Sequence, residues 1–498
     1  MRLNRGRTAT SSLYIGGKWV AASSGATREI LNPYDQSVIQ TVDEGGRTDA
    51  LAAVAAARAA FDHGTWPSWT PRQRAELLNR TAEYLQRDRA EIARLETLDT
   101  GKTLVESGID VDDVTAVFRY YAGQAEADSG RVVDAGDPKV RSRVVHEPIG
   151  VCALITPWNY PLLQASWKVA PALAAGNTMV LKPSEITPLS TVRMVELIEE
   201  AGAPAGVVNL VLGAGATAGA PLVESPHVDL VSFTGGLSTG QMIMRTAADT
   251  VKNIALELGG KNPNIVFADA DVEAAIDHAL TAVFFHAGQV CSAGTRLIVE
   301  DSLHDEFVAE LVDRTERIRL GNGLDEHTES GPLVSADHRD KVESYVRLGV
   351  QEGAKLVAGG RRPDEPALRN GFFYRPTVFD DCTQDMRIVQ EETFGPILTV
   401  ERFTEEDRAV ELGNHTDYGL AGAVWTRDAA RAERVARRLR HGTVWINDFG
   451  PYLPQAEWGG FKRSGIGREL GHEGLAEYRQ AKHIYENTSP VPQRWFAR

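Results

Sequence analysis

From Gly150 onward five short apolar runs, GVCALIT (150–156), NTMVLKP (177–183), VVNLVLG (207–213), VDLVSFTG (228–235) and NIALELG (253–259), are separated by helix-length segments. Strand-length apolar runs alternating with helices predict a parallel, doubly wound α/β sheet, and such sheets bind ligands at the carboxyl ends of their strands. Three of those ends carry unusual residues. The first gives Thr156-Pro157-Trp158-Asn159-Tyr160-Pro161, the second Lys182-Pro183-Ser184-Glu185, and the fourth Phe233-Thr234-Gly235-Gly236 with Gly240 beyond.

A second alternation begins after Glu257. NIVFADA (264–270), a helix to about His286, a loop around Cys291, RLIVE (296–300) and a charged helix from Ser302 to Arg319 come first. PILTVERF (396–403), GLAGAVW (419–425), an arginine-rich helix over 428–440 and TVWIN (443–447) follow. This reads as another α/β unit, so the stretch from Glu257 to Cys291 crosses from one unit to the other. Upstream, residues 13–42 read as small strands and turns, and helices are expected from about Thr48 to Asp128, with Thr70 as an N-cap before Pro71. RVVDAGDPKVRSRVVHE (131–147) alternates charge with valine and reads as a surface hairpin or an oligomerisation arm. SPVPQRWFAR (489–498) reads as a loose tail.

At 498 residues the chain exceeds what one hydrophobic core holds, and its 43% hydrophobic and 24% charged residues are ordinary for a globular protein. A formal net charge of -15 argues against nucleic acid as a partner, since nucleic-acid readers present basic patches. Cys152, Cys291 and Cys382 have no paired spacing, the usage of a reducing compartment. The N-terminal MRLNRGRTATSS leads into too short an apolar run for a signal peptide, and no segment approaches the about 18 apolar residues of a membrane helix. A cytoplasmic protein that makes no membrane contact is therefore expected. No C-x-x-C or histidine cluster points to a metal.

Cys291, between two glycines, reads as a nucleophile and Glu257 as a base that serves it, because a thiol attacks carbonyl carbon as its thiolate. The plain alternative is a small buried hydrophobe. Gly235, Gly236 and Gly240 let backbone approach a pyrophosphate at a helix N-terminus. Lys182 and Glu185 are placed to meet ribose hydroxyls, and the carboxylate repels a 2′-phosphate, which favours NAD over NADP; the alternative is a surface ion pair. Asn159 is either a donor to developing oxyanion charge or a helix N-cap.

These motifs, with Glu257-Leu258-Gly259-Gly260-Lys261, Gly288-Gln289-Val290-Cys291-Ser292-Ala293-Gly294, Glu391-Glu392-Thr393-Phe394-Gly395-Pro396 and Trp458-Gly459-Gly460-Phe461-Lys462-Arg463-Ser464-Gly465, resemble in kind and order those of the aldehyde dehydrogenase superfamily. The resemblance implies an NAD-binding unit over 1–126 and 148–258, a catalytic unit over 259–470, and an oligomerisation arm and tail over 127–147 and 471–498. Both large units would be doubly wound α/β, Rossmann-like in the first case, and the arm a small β structure. It makes Cys291 the catalytic thiol, Glu257 the general base, and Asn159 the oxyanion donor beside the Cys291 N–H. Ile155, Thr156, Pro157, Trp158, Lys182, Ser184, Glu185, Gly215, Phe233, Thr234, Gly235, Gly236, Leu258, Glu392 and Phe394 would hold NAD. Many members have serine at Gly236, so one pyrophosphate hydrogen bond is absent here. Lys168 and Glu469 match a buried pair that either relays protons or is a structural ion pair.

Tyr160, Trp167 and Trp458 resemble the substrate aromatics of the betaine-aldehyde and aminoaldehyde branch, with Phe285 where those relatives often have tryptophan. An aromatic box attracts a quaternary ammonium, each contact contributing on the order of 0.5 to 2 kcal/mol. The implied reaction is oxidation of betaine aldehyde to glycine betaine by a homo-oligomer, dimer or tetramer. The alternatives are an ω-aminoaldehyde substrate, such as 4-aminobutyraldehyde or 4-trimethylaminobutyraldehyde, and a non-catalytic nucleotide-binding member.

Overall fold

Two large sheets organise the chain, and the apolar runs of the sequence are their strands. The computed structural model describes residues 13–127 and 129–496; the basic start MRLNRGRTATSS, Asp128 at the expected end of the helical region, and Ala497 and Arg498 of the expected tail lie outside the described residues. In the first sheet the spatial order is Gly465–Ile466, Asn253–Glu257, Leu230–Thr234, Val151–Ile155, Thr178–Lys182, Val208–Leu210, Leu13–Ile15, Lys18–Val20. The strands from Asn253–Glu257 to Val208–Leu210 are parallel, and the order reverses between Val151–Ile155 and Leu230–Thr234. That reversal opens a crevice at the strands' carboxyl ends. Helices cover both faces, which is why Val151–Ile155, Thr178–Lys182 and Leu230–Thr234 are buried at every position and read as unbroken apolar runs.

The second sheet runs Lys355–Ala358, Thr377–Asp380, Ile397–Phe403, Arg296–Glu300, Pro263–Val266, Ala421–Trp425, Thr443–Ile446, with only the first pair antiparallel. The fold is thus α/β with two doubly wound sheets. Helix boundaries follow the chain's local chemistry: Pro71–Arg87 starts at Thr70, whose side chain accepts from Gln73 N while the Gln73 side chain accepts from Thr70 N.

One feature adds to the expected layout and another departs from it. The hairpin Arg131–Val133 with Val140–Pro148 forms, and its long strand also pairs antiparallel with Arg479–Asn487, from Arg479↔Pro148 to Asn487↔Val140, so the arm and the segment grouped with it share one sheet. Gly465–Ile466, inside the range expected of the catalytic unit, joins the edge of the first sheet beside Leu256 and Glu257. A Cβ at Gly465 would stand 2.2 Å from Leu256 O, so only glycine, here at φ +150°, lets the strands meet. Among the described residues no helix is long and apolar enough to cross a membrane.

Candidate active site

The carboxyl ends of the first sheet open into a cleft of about 660 Å³ whose far wall is made by Cys291, His338, Lys341, Glu392 and Phe394, from loops and a helix of the second α/β unit. Of the residues expected at the cofactor end, Ile155, Thr156, Pro157, Trp158, Lys182, Ser184, Glu185, Gly215, Phe233, Thr234, Gly235, Gly236 and Leu258 line it from one side and Glu392 and Phe394 from the other. Gly240 does not, because a Cβ there would stand 2.7 Å from Leu258 Cδ2, so this glycine serves close packing and not approach to a ligand. Asn159, Glu257 and Cys291 line the same space.

The cleft has the chemistry to hold a dinucleotide. The helix Leu237–Ala248 starts at Gly236 with no side-chain cap, leaving its first-turn N–H groups and dipole to an anion. Nothing lies within 4 Å of a Cβ built at Gly236 or Gly215, so backbone there is open to close approach. Thr156 Oγ1 is buried without a hydrogen-bond partner among the described residues. At one end Lys182 Nζ donates to Pro183 O at 2.8 Å and lies 3.5 Å from Glu185. At the other, Glu392 Oε1 accepts from Gly260 N at 3.1 Å, and burial pushes its carboxyl up to about 7.

Cys291 sits on a loop that Asn262 clamps. Asn262 Nδ2 donates to Cys291 O and Ala293 O, both at 2.9 Å, and its Oδ1 accepts from Ala421 N at 3.0 Å. Burial first, then the charges of Glu257 and Glu392, hold the thiol well above its ordinary value, while the peptide N–H groups of Ser292 and Cys291 pull the other way. Asn159 is 4% exposed and donates from Nδ2 to Gln289 O at 2.8 Å. That bond fixes the amide and uses one of its two hydrogens, leaving the second for a substrate oxygen.

Glu257 ends its strand 3% exposed. Burial, then the neighbouring Glu469, raise its carboxyl to about 8 against the opposing pull of Lys168 and Trp458. Trp458 Nε1 donates to Glu257 Oε1 at 3.2 Å; Oε2 has no partner among the described residues. Lys168 and Glu469 form a fully buried ion pair behind this carboxylate and do not line the cleft. Glu469 and Trp458 are joined by reciprocal backbone bonds of 2.7 Å, so the pair reaches Glu257 through Trp458 and through space.

The expected aromatic box is only partly assembled as read. Trp167 and Trp458 meet with ring centroids 5.9 Å apart, and Tyr452 joins both, at 5.1 and 6.3 Å. Trp445 and Phe449 extend the group behind Trp458. Cys291 packs against the same apolar cluster. Tyr160 is in that cluster too, but its ring already meets a cation: Lys102 Nζ lies 3.7 Å from the ring centroid, between the buried carboxylates Glu96 and Asp110. Phe285 makes no ring contact with Trp167, Trp458 or Tyr160 among the described residues. It follows the helix Val272–Phe284 at a bend where His286 and Ala287 adopt φ +48° and +51°.

Sequence reading passed over several site residues. His338 packs on Trp158 and Phe394 at 5.0 and 6.1 Å, and its Nε2 donates to Phe394 O at 2.7 Å. Burial lowers the imidazole to about 4, so it is neutral and can make that bond. This bond steadies Phe394 at φ +58°. Lys341 lines the cleft near Glu392, whose carboxyl it pulls down. Tyr452 Oη donates to Asp113 Oδ2 at 2.5 Å, and burial lifts Asp113 to about 6.

The comparisons with known proteins agree with this geometry. A profile of the aldehyde dehydrogenase family matches residues 19–484. The betaine aldehyde dehydrogenase of Bacillus subtilis (strain 168) is 61% identical over 487 residues, 98% of this chain and 99% of that protein. Aminoaldehyde dehydrogenase 2 of Zea mays is 43% identical over 491 residues, 97% of each. A crystal structure of betaine aldehyde dehydrogenase from Staphylococcus aureus in complex with NAD+ superposes with a TM-score of 0.97 at 54% identity, covering 98% of this chain and 97% of that one.

Proposed function

The chain belongs to the aldehyde dehydrogenase family, and from that premise we propose that it oxidises betaine aldehyde to glycine betaine with NAD, through an acyl intermediate on Cys291. The observation that carries the chemistry is the convergence of Cys291, Asn159 and Glu257 on one cleft whose other residues suit a dinucleotide. The 61% identity to the Bacillus protein and the aromatic cluster beside Cys291 support the choice of substrate.

Cys291 adds to the aldehyde carbon as its thiolate, the thiol proton passing to the Glu257 carboxylate and on to solvent, and the oxygen that becomes negative is met by the Cys291 N–H and the second hydrogen of the Asn159 amide. Lys182, Glu185, Glu392 and the open backbone at Gly236 hold NAD, which when bound supplies the acceptor for the aldehyde's hydride. With the hydride gone, the carbon is a thioester of Cys291. Glu257, ionised, takes a proton from water, and the hydroxyl displaces the thiolate to release the acid. Lys168 and Glu469 tune Glu257 electrostatically; their service as a proton path stays one of two readings. Trp167, Trp458 and Tyr452 enclose the cationic end of the substrate, while Tyr160 contributes as a wall whose ring is shared with Lys102. Phe285 stays a candidate pocket residue at the loop's bend. An ω-aminoaldehyde is the second reading, supported by the maize relative. We further propose a cytoplasmic homo-oligomer, dimer or tetramer, joined through the sheet of Val140–Pro148 and Arg479–Asn487. The proposed units are an NAD-binding unit over 1–126 and 148–258, a catalytic unit over 259–470 whose Gly465–Ile466 returns to the first sheet, and an arm and tail over 127–147 and 471–498.

The test is a kcat/KM panel of betaine aldehyde, 4-aminobutyraldehyde, 4-trimethylaminobutyraldehyde, propanal and succinic semialdehyde with NAD and NADP. Betaine aldehyde should lead, and parity with propanal would sink the cation reading. Cys291→Ala should give no NADH burst; a burst from that variant would remove Cys291 from the reaction.

A further inference from the structure

The adenosine end of the cleft contains a charge cluster that includes two residues outside its lining. Arg28 lies on the strand Thr27–Leu31 and Glu44 directly after its partner Val38–Asp43. Arg28 Nε is 2.5 Å from Glu44 Oε2 and Nη2 is 2.7 Å from Oε1, a bidentate pair. Glu44 Oε1 also accepts from Ala214 N at 3.1 Å, next to the cleft residue Gly215. The ribbon cannot slide away from this place. Gly45 N donates to Leu212 O at 2.8 Å, and a Cβ on Gly45 would stand 2.6 Å from that same oxygen.

Four charges therefore meet here: Arg28 and Lys182 against Glu44 and Glu185. Each is felt by the others, since Glu185 acts on Arg28 and both Glu44 and Arg28 act on Lys182. The two cations are already claimed. Lys182, 3% exposed, faces Glu185 and Pro183 O, while Arg28, with 35% of its side chain exposed, is held by both oxygens of Glu44. A doubly charged phosphate entering this corner meets two carboxylates and no free cation. Of the two cations, Arg28 is the one exposed enough to turn toward a ligand, and Glu44 is what keeps it from doing so.

We propose that the Arg28–Glu44 pair, acting with Glu185, sets the discrimination between an unmodified adenosine ribose and one carrying a 2′-phosphate, and that Glu44 enforces it by withholding Arg28. The proposal rests on the reading of the cleft as the NAD site. It assigns specificity to a segment far from the strand-end motifs, and it makes Arg28 a latent phosphate ligand.

Binding of 5′-AMP and 2′,5′-ADP to the full chain, measured by titration calorimetry, tests this without turnover. The wild type should favour 5′-AMP. Glu44→Gln removes the charge but keeps an acceptor for Ala214 N, and should raise the affinity ratio of 2′,5′-ADP to 5′-AMP by about tenfold, the size of one exposed charge-assisted contact. Arg28→Ala leaves Glu44 unpaired and should lower the ratio about threefold. In the double variant the gain should disappear, since the freed arginine is what produces it. Ratios within twofold of wild type in both single variants overturn the proposal, as does a gain that survives removal of Arg28. If the wild type binds neither nucleotide, the cofactor reading itself fails and the proposal falls with it; 5′-AMP binding with unmoved ratios indicts the proposal alone.

Discussion

Glu257 carries the sharpest residue-level consequence, because its environment sets a pH at which the second half-reaction begins. Its carboxyl is raised to about 8, so below that pH it is mostly protonated and cannot accept a proton from water. Hydrolysis of a preformed acyl-enzyme should therefore rise with pH through a midpoint near 8 and level off above it. Glu257→Gln should give one NADH burst, no sustained turnover, and no such rise; a stopped-flow series across pH 6 to about 10 checks both. Sustained turnover by that variant would refute the assignment. Residues of this kind were legible because each sits at a strand end, where a carboxylate, amide or lysine beside a glycine has few purely structural uses. Phe285 shows the limit of that reasoning. Its place was read from a resemblance to relatives, and the left-handed turn at His286 and Ala287 that directs it leaves no mark in the sequence. Tyr160 shows another: nothing local announces that Lys102, 58 positions upstream, lies against its ring at 3.7 Å.

At the scale of elements, the nucleophile's loop owes its shape to a neighbouring turn. Gly260 has no room for a side chain, since a Cβ would stand 2.7 Å from Cys291 O and 2.5 Å from Asn262 Oδ1. Gly260→Ala should displace the loop by a fraction of an ångström and lower kcat/KM on the order of 100-fold, the cost of small misplacement of a reacting group. The circular dichroism spectrum should be unchanged and the rate of Cys291 alkylation altered. Wild-type kinetics in that variant would show that the loop tolerates the shift. Asn262→Ala removes the partner of Cys291 O, Ala293 O and Ala421 N together, and should destabilise the protein by about 3 kcal/mol, read as a lower midpoint in urea. Neither the clamp nor the His338 support of Phe394 was visible in the sequence. Asn262 directly follows a motif with more conspicuous members, and His338 joins its partner from 56 residues away with no periodicity to mark it.

On the whole-molecule scale the two sheets are held to one another at the site itself. The alternation of apolar runs predicted the central strands of both sheets, because burial on both faces imprints itself on their positions; Lys355–Ala358, largely exposed at one edge of the second sheet, and Thr377–Asp380 beside it were passed over. The return of Gly465–Ile466 to the first sheet was invisible, since two residues carry no period. That return matters because Leu258 N donates to Ser464 O at 2.9 Å and Ser464 Oγ to Gly259 O at 2.7 Å, tying the segment after Glu257 to a late part of the chain. The cleft draws Phe233 to Gly236 from one sheet's strands and Glu392 and Phe394 from beside the other's. A dinucleotide bound there bridges both, so NAD should slow amide hydrogen exchange in residues 233–240 and in 391–395 together, with a thermal midpoint that climbs with NAD concentration. Protection confined to 233–240 would mean that the cofactor is held by the first sheet alone. Glu392 would then have to be reached in a later closing step. Joint protection instead makes closure of the cleft part of binding, and the thiol is then presented to the substrate only once the cofactor spans the two sheets.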